Sequence, residues 1–334
     1  MTFKIVVAER VTDEILAAFT SKLSDDWRVE VCNEAFSSAA MQTALADAQV
    51  LVSMFWPPDA PRDAPIKLLH MNGAGYDGIK FDHLPSDCAV CNVYEHEIGI
   101  AEYVVAAMLE WEIGLSRHAA ALREGRWTDG FAKSCPLHGE LFGKTVGFVG
   151  YGRIARETAK RLQAFGLRTM ARTRSVSACD QWIDDGGPME DLAAMLRVAD
   201  YVVMTPPLTA ATLNLADADF FAAMRSDAVI INVARGPVVN EQALYRALHE
   251  RRIGGAIIDT WYRYPKPDED TAWPSALAFH ELDNIIMTPH SSGWSAGLME
   301  RRWGVIVDNL ERWRRGEPLV NVLKPVNGAP VVDL

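Results

Sequence analysis

Residues 145–156 read Thr-Val-Gly-Phe-Val-Gly-Tyr-Gly-Arg-Ile-Ala-Arg, and this stretch decides the fold. Its apolar first half predicts a strand, and the pattern after the glycines predicts a helix. Gly150 permits a tight turn, Gly152 lets the backbone approach a phosphate, and Ala155 is small enough to pack on the strand. The stretch therefore predicts a dinucleotide site at a helix N-terminus, with an ordinary glycine turn as the alternative.

Composition narrows the class of protein. The chain has 334 residues, of which 49% are hydrophobic, and a net charge of −11. That length allows two domains, and the charge argues against a nucleic-acid surface, which needs basic residues. No apolar run approaches the ~20 residues that span a bilayer. The five cysteines, including the pair Cys88-x-x-Cys91, complete no disulfide framework or metal site, so we expect reduced thiols, no metal and a cytoplasmic protein.

The glycine turn comes late in the chain. Strand and helix signals already alternate before it, which predicts a smaller leading α/β domain. A long apolar helix is expected over 100–122, and an irregular arm over 127–141. Strands then alternate with helices, as in a doubly wound parallel sheet. The expected strands are 146–149, 169–171, 201–204, 229–232, 256–258 and 285–287. A last amphipathic helix, expected to complete the first domain, has an apolar stripe of Met299, Trp303, Ile306, Leu310 and Trp313.

Further motifs follow the glycine turn in a fixed order. They are Pro206-Pro-Leu-Thr-Ala-Ala-Thr212, Ile231-Asn-Val-Ala-Arg-Gly-Pro-Val-Val-Asn240, Asp259 and Thr288-Pro-His290. With the glycine motif they resemble the D-isomer-specific 2-hydroxyacid dehydrogenases, which include glyoxylate/hydroxypyruvate reductases, phosphite dehydrogenase and formate dehydrogenase. The resemblance covers nearly the whole chain, and ordered matches are more specific than any single one.

The resemblance implies an α/β fold of two domains. A Rossmann-type doubly wound parallel sheet over residues 99–293 is expected to be inserted into a smaller, flavodoxin-like α/β substrate domain made of residues 1–98 and 294–334. This insertion accounts for the late glycine turn. The resemblance also implies hydride transfer between NAD or NADP and a small 2-hydroxy or 2-oxo acid.

Arg235 and His290 have the chemistry that reduction of a 2-oxo acid requires. Both follow predicted strands, so they are expected at the carboxyl edge of the sheet, where α/β sites form. A guanidinium can hold a carboxylate through two hydrogen bonds. An unperturbed histidine titrates near pH 6.5, which suits a proton donor and acceptor. A surface arginine and a capping or core histidine are the alternatives.

The resemblance and the positions of side chains after the predicted strands together predict a larger set of site residues. The catalytic set is Arg235, His290 and Asp259. The cofactor set is Gly150, Gly152, Arg153, Ile154, Arg172, Thr173, Arg174, Thr205, Pro206, Thr212, Val233, Ala234, Asp259, His290 and Gly293. The substrate set is Ala74 and Gly75, in a loop whose N–H groups would receive a carboxylate, with Trp56, His96, Arg235, Tyr264 and Trp294. A plain turn and ordinary aromatic core are the alternatives for the loop and the aromatics.

Tyr264 departs from the family pattern. The resemblance implies a glutamate there as the hydrogen-bonding partner of His290. A phenol can orient an imidazole, but it does not stabilise the charged form as a carboxylate does. If no carboxylate contacts His290, reduction is expected to slow as pH rises through about 6 to 7. The alternatives for a replacement carboxylate are Glu95, Glu97 and Glu281.

The segment Met170-Ala-Arg-Thr-Arg-Ser175 indicates which cofactor, NAD or NADP, the protein is expected to bind. It lies about twenty residues after the glycines, where NAD enzymes place an acid on the adenosine ribose. No acidic residue occurs between Glu157 and Asp180. Arginines and hydroxyls in this position suit a 2′-phosphate and resemble NADP-using reductases. We therefore expect NADP, with NAD as the alternative.

The leading hypothesis is a reductase of a small 2-oxo acid such as glyoxylate or hydroxypyruvate. The helix over 100–122 and the arm over 127–141 resemble the dimer contact of the family, which implies a homodimer through the cofactor domain. One alternative is oxidation of formate or phosphite, favoured by the uncharged position 264, although His96 stands where the formate-binding asparagine is expected. A second alternative is a nucleotide-sensing or corepressor-like module, which the retained Arg235 and His290 oppose.

Overall fold

The structure, a computed structural model, describes residues 2–127, 137–266, 269, 271–325 and 331–332. Two compact units divide the chain: Met1–Glu95 with Ser295–Leu334, and His96–Trp294. Each unit is built on a mainly parallel sheet with helices. The predicted α/β fold class is confirmed.

The first unit has a six-stranded sheet. Its strands are β1 (Phe3–Val7), β2 (Trp27–Val31), β3 (Val50–Val52), β4 (Leu68–His70), β5 (Ala89–Cys91) and β14 (Val322–Lys324). They lie in the order β14-β5-β4-β3-β1-β2, with only β14 antiparallel to its neighbour among these described strands. The order β2-β1-β3-β4-β5 is the flavodoxin-like one. Two further short strands, β13 (Leu319–Val320) and β15 (Val331–Val332), pair with each other.

Helix α9 (Ala296–Arg315) completes the core of the first unit, whose other described helices are α1 (Asp13–Thr20) and α2 (Ala39–Leu45). The Ser295 side chain caps α9 by accepting from the N–H of Leu298. The predicted stripe is confirmed in its centre, because Trp303, Ile306 and Leu310 are buried in one cluster with Ile5 of β1.

A buried polar contact also joins α9 to this sheet; we call it the His70–Asn309 cluster. His70 is fully buried, and its Nδ1–H donates to the Met71 carbonyl at 2.9 Å. The Asn309 amide donates to His70 Nε2 at 2.9 Å and to the Val320 carbonyl at 3.0 Å. Burial lowers the pKa of His70 to about 4, so the ring is neutral near pH 7.

The second unit has a seven-stranded parallel sheet. Its strands are β6 (Thr145–Val149), β7 (Arg168–Arg172), β8 (Asp185–Gly187), β9 (Tyr201–Met204), β10 (Val229–Asn232), β11 (Gly255–Ile258) and β12 (Ile285–Met287). They lie in the order β12-β11-β10-β9-β6-β7-β8, a Rossmann arrangement with one added strand. The six predicted strands are confirmed. Strand β8 was not predicted, because two of its three residues are glycine.

Helices cover both faces of the second sheet, and alternate strand residues enter two separate apolar clusters, as Val203 and Met204 do. The described helices are α3 (Glu97–Ile113), α4 (Leu115–Arg123), α5 (Arg153–Gln163), α6 (Leu192–Leu196), α7 (Ala218–Ala223) and α8 (Glu241–His249). The prediction of one helix over 100–122 is wrong. Gly114 has a φ of 69°, a left-handed conformation that ends α3 before α4 begins.

Two properties of the described part of the chain bear on function. None of its helices is long and apolar enough to cross a membrane, and no group of three His, Cys, Asp or Glu side chains in it could hold a metal ion. Cys88 and Cys91 are free thiols, and burial raises the pKa of each to about 12. Residues 128–136 of the predicted arm lie outside the described residues.

Candidate active site

The predicted functional residues of the second unit follow the carboxyl ends of its strands. The glycine turn follows β6, and Thr205 follows β9. Arg235, Asp259 and His290 come after β10, β11 and β12, which are neighbours in the sheet. Because parallel strands end at one edge, the turns that bear these three residues lie side by side. This edge is where α/β proteins bind ligands.

The glycine turn lies where the strand order reverses, between β6 and β9. Gly150 has a φ of 84°, and a Cβ there would lie 3.2 Å from the Pro206 nitrogen, so glycine is required. The Thr205 hydroxyl donates to the Gly150 carbonyl at 3.0 Å and braces the turn. Gly152 caps α5, and a Cβ there would meet no atom within 4 Å. An open turn against a helix N-terminus fits a dinucleotide pyrophosphate, which the N–H groups of the first helical turn would hold.

The segment after β7 corrects one cofactor prediction. Arg172 is only 5% exposed, and its guanidinium donates to the Asp185 carbonyl at 3.0 Å and lies 3.3 Å from the Asp185 carboxylate. The prediction that Arg172 binds a 2′-phosphate is wrong, because this guanidinium is buried and bonded within the unit. Arg174, two residues later, is exposed, and Thr173 between them is 8% exposed.

Two local contacts shape the turn that carries Arg235. The buried Asn232 side chain donates to the Arg235 carbonyl at 3.0 Å and accepts from the Ala234 N–H at 3.1 Å. Gly236 packs on the Trp261 carbonyl so closely that a Cβ would lie 2.2 Å from that oxygen. The Arg235 turn is therefore fixed to the segment after β11.

Asp259 holds the turn that carries His290. Its side chain is fully buried and accepts from the Thr288 hydroxyl at 2.6 Å, from Ser291 N–H at 2.9 Å and from Ser292 N–H at 3.0 Å. The Asp259 carboxylate therefore holds this turn in place, and the predicted roles of Asp259 in catalysis and cofactor binding stay predictions.

His290 is exposed at the tip of this turn and has a φ of 57°. A left-handed histidine is uncommon and persists only where the surrounding bonds hold it. Its Nδ1 lies 2.9 Å from the Tyr264 hydroxyl oxygen, which also accepts from the Trp261 N–H at 3.2 Å. Tyr264 thus occupies the partner position of the histidine, and Trp261 contacts both this pair and the Arg235 turn.

Four further residues of the predicted substrate set, His96, Trp294, Ala74 and Gly75, differ in burial and in neighbours. His96 precedes α3 and packs beside Gly293, whose added Cβ would lie 3.4 Å from the His96 Cβ. Trp294 is 73% exposed. In the first unit, Ala74 and Gly75 follow β4, and the Asn92 side chain donates to the Ala74 carbonyl at 2.9 Å.

Trp56 is a second correction. It is fully buried in the core of the first unit, and its Nε1–H donates to the His83 carbonyl at 3.2 Å. The prediction that it lines a substrate pocket is wrong, because a small acid could reach its ring only by displacing that core. Its neighbour Phe55 is 58% exposed.

The sequence analysis missed two residues that shape the site. Asn232 entered only as part of a motif, and Tyr103 of α3 was not among the predicted residues. The available signal for Tyr103 was its hydroxyl in the stretch from Ile100 to Met108, where only the neighbouring Glu102 is also polar. A hydroxyl placed there needs a partner when it is buried.

Comparison with known proteins agrees with this geometry. Residues 105–292 match the model of the D-isomer specific 2-hydroxyacid dehydrogenase NAD-binding domain. A glyoxylate reductase from Pyrococcus horikoshii is 36% identical over 53% of this chain and 51% of its own length. An (S)-sulfolactate dehydrogenase from Chromohalobacter salexigens is 32% identical over 72% of this chain and 75% of its own length. The chain therefore spans about half of the first relative and three quarters of the second.

Solved structures extend the likeness to the whole fold. The NADPH-dependent glyoxylate/hydroxypyruvate reductase from Sinorhizobium meliloti, solved with NADP and malonate, superposes with a TM-score of 0.79. It is 26% identical, and the match covers 100% of this chain and 99% of that one. With the family model matched over more than half of its length, this chain belongs to the D-isomer-specific 2-hydroxyacid dehydrogenases, a family of oxidoreductases that use a nicotinamide cofactor.

Proposed function

We propose that this protein reduces a small 2-oxo acid of the glyoxylate or hydroxypyruvate class, with NADPH as the preferred cofactor. One observation carries the proposal: the turns bearing Arg235 and His290 are fixed side by side at the carboxyl edge, on the same edge as the glycine turn. Relatives named as glyoxylate reductases and a glycerate dehydrogenase support the substrate class.

Arg235 binds the substrate carboxylate and carbonyl oxygen. Its Nη1 donates to the Ala234 carbonyl at 2.9 Å, which orients the guanidinium. A planar fork matches a carboxylate through two charge-assisted hydrogen bonds. The same cation polarises the adjacent carbonyl and stabilises the oxyanion that forms during reduction.

His290 donates the proton that the new hydroxyl requires, while the nicotinamide cofactor supplies the hydride. The ring gives up this proton as imidazolium: its Nε2–H transfers the proton to the forming alkoxide, and the neutral ring that remains keeps its other proton on Nδ1. We assign this Nδ1–H to the Tyr264 oxygen 2.9 Å away, which also accepts from the Trp261 backbone N–H. Tyr264 thereby fixes both the orientation and the tautomer of the histidine.

The preference for NADPH rests on the segment after β7. Arg174 is exposed there, and Thr173 and Ser175 supply hydroxyls next to it. An acidic residue, which would repel a 2′-phosphate, is missing from 158–179 of the sequence. The buried Arg172, bonded to the half-buried Asp185, anchors the base of this segment.

Turnover assays with a panel of small acids test the proposal. Purified protein is mixed with NADPH or NADH and glyoxylate, hydroxypyruvate or sulfopyruvate, and oxidation of the cofactor is followed by its absorbance. The reverse assays use formate and phosphite with NADP or NAD. We expect turnover with 2-oxo acids and a higher kcat/KM with NADPH. Turnover with formate or phosphite alone would support anion oxidation, and cofactor binding without any turnover would support a sensing module.

The family fold also leads us to propose a homodimer formed by the second unit. Large apolar side chains are exposed on and after α4: Leu115, Leu122 and Trp127 are 67%, 53% and 58% exposed, and Leu137 and Phe142 are 98% and 75% exposed. Large exposed apolar side chains favour an association surface. Light scattering is expected to give a dimer for the wild type and a monomer for Leu122→Asp. A monomeric wild type would exclude this arrangement.

A further inference from the structure

We propose that Tyr103 is a positioning residue for the proton donor, acting on His290 through a relay of Thr288 and Asp259. The inference rests on the proposed function for its kinetic consequence, but its structural part stands on contacts within one unit. The relay joins helix α3 to the turn after β12.

The direction of each hydrogen bond in the relay follows from counting protons. The Thr288 hydroxyl has one proton, and the Asp259 carboxylate, 2.6 Å away, can only accept it. The Tyr103 oxygen lies 2.7 Å from the same Thr288 oxygen, so Tyr103 must be the donor. Burial raises the pKa of Tyr103 to about 12, so its hydroxyl keeps this proton throughout the neutral range.

The relay holds the turn from both sides of His290. On the preceding side, the Thr288 hydroxyl is fixed by Tyr103 and Asp259, and the Thr288 carbonyl accepts from Trp261 Nε1–H at 2.8 Å. On the following side, the N–H groups of Ser291 and Ser292 bind the same Asp259 carboxylate.

The backbone of His290 explains why the relay is needed. Its φ of 57° is a conformation that a side-chain-bearing residue rarely adopts without support. Without the Tyr103 bond, Thr288 can rotate and the turn can relax toward commoner backbone angles. The imidazole would then spend less time in contact with Tyr264 and in line with a substrate carbonyl.

The test removes the hydroxyl of Tyr103 and reads two independent signals. In Tyr103→Phe, kcat is expected to fall about fivefold, the effect of one neutral hydrogen bond, while the KM values for cofactor and oxo acid change less than about twofold. Amide hydrogen exchange at Ser291 and Ser292 is expected to accelerate by a similar factor without any substrate present.

Other variants separate positioning from general damage. Thr288→Val removes the same link from its other end, and combining it with Tyr103→Phe should add little further loss, because both break one relay. Thr288→Ser keeps the hydroxyl and should retain activity. Tyr201→Phe is the matched control: its buried hydroxyl bonds Glu112 at the amino end of β9, the opposite edge of the sheet.

The two readouts also separate this inference from the proposed function. Unchanged kcat and unchanged exchange in Tyr103→Phe, or equal effects in Tyr201→Phe, would overturn the relay. If no oxo acid is turned over, the proposed function fails, and the exchange measurement alone decides whether Tyr103 fixes the turn.

Discussion

The turn that Asp259 holds and the His70–Asn309 cluster are each built on a buried, hydrogen-bonded polar side chain. The two side chains nevertheless have different roles. Asp259 and His70 are both fully buried, and their hydrogen bonds are satisfied by backbone and side-chain partners. Asp259 fixes a turn that presents an exposed histidine to solvent. His70 instead joins α9 and β13 to a sheet and is enclosed on all sides.

The contrast teaches that a buried polar group is not by itself evidence of a functional site. Its role depends on which segments of the chain its hydrogen bonds hold in place. Substitutions around Asp259 should alter turnover more than stability, and substitutions around His70 should do the reverse.

Arg235→Ala should lower kcat/KM about a thousandfold, because two charge-assisted hydrogen bonds to the substrate are lost. The unfolding free energy should change little, since Arg235 is only half-buried. Steady-state kinetics and urea unfolding measure both quantities. Arg225→Ala is the matched control: this arginine precedes β10 at the opposite edge and pairs with Asp227, so activity should persist. A variant of Arg235 that keeps a tenth of wild-type activity would exclude the proposed role.

His70 should make the stability of the first unit depend on pH. Its folded pKa of about 4 lies below the 6.5 of an exposed histidine, so only the unfolded chain takes up a proton between these values. Its stabilising contribution is complete above about pH 6.5 and is lost as pH falls through 4, by about 3 kcal/mol. Urea unfolding of the wild type and His70→Gln at several pH values isolates this slope. If the unfolding free energies of the two proteins change with pH in parallel, the prediction is contradicted. Because His70 lies outside the proposed active site, the two proteins should have similar kcat at pH 7.

Asp259→Asn should lower kcat about a hundredfold, because an amide cannot accept from Ser291, Ser292 and Thr288 at once and leaves buried N–H groups unpaired. The KM for NADPH should stay within about twofold. Asp200→Asn is the control, since Asp200 accepts from the Thr145 N–H at 2.7 Å at the amino edge. A loss of stability equal to that of the control, with kcat unchanged, would make Asp259 a purely structural residue.

Arg174→Ala should lower kcat/KM with NADPH about thirtyfold and leave the value with NADH within about twofold, because only NADPH has the 2′-phosphate. The exposed Arg197, at the end of α6, supplies the control variant Arg197→Ala. The ratio of the two kcat/KM values is the measured quantity. An equal loss with both cofactors would disprove the preference.

Tyr264→Phe should lower kcat about tenfold, since the hydrogen bond to His290 Nδ1 no longer fixes the ring. Tyr264→Glu should keep the reductase active to higher pH than the wild type, because a carboxylate stabilises an imidazolium. Tyr245→Phe on α8 serves as the control. Identical pH–rate profiles for the wild type and the Tyr264 variants would argue against contact between these side chains during turnover.

The sequence predicted those parts of the fold that depend on local patterns. The strands around β6 are buried on both faces, so they read as apolar runs. The glycine turn could be predicted because each of its glycines meets a local requirement of the backbone, a tight turn or a close approach to a ligand. The end of α3 at Gly114 was missed, since the apolar pattern continues across this glycine and hides the left-handed cap.

The site was predicted less completely, because the roles depend on contacts distant in sequence. The buried state of Arg172 depends on Asp185 in the unpredicted strand β8. The role of Asp259 depends on donors about thirty residues later, which no local pattern reveals. By contrast, the position of Tyr264 relative to His290 was implied by the family spacing, and their 2.9 Å contact agrees with it.

The return of α9 to the first unit has a consequence for biosynthesis. The sheet face that includes Ile5 and Val7 is covered by Trp303 and Leu310, which a ribosome makes some three hundred residues later. The whole of unit His96–Trp294 is synthesised before α9, so this unit can fold while translation continues. Until α9 has been synthesised, the apolar face of the leading strands is uncovered. We expect the nascent protein to depend most on chaperones during this interval.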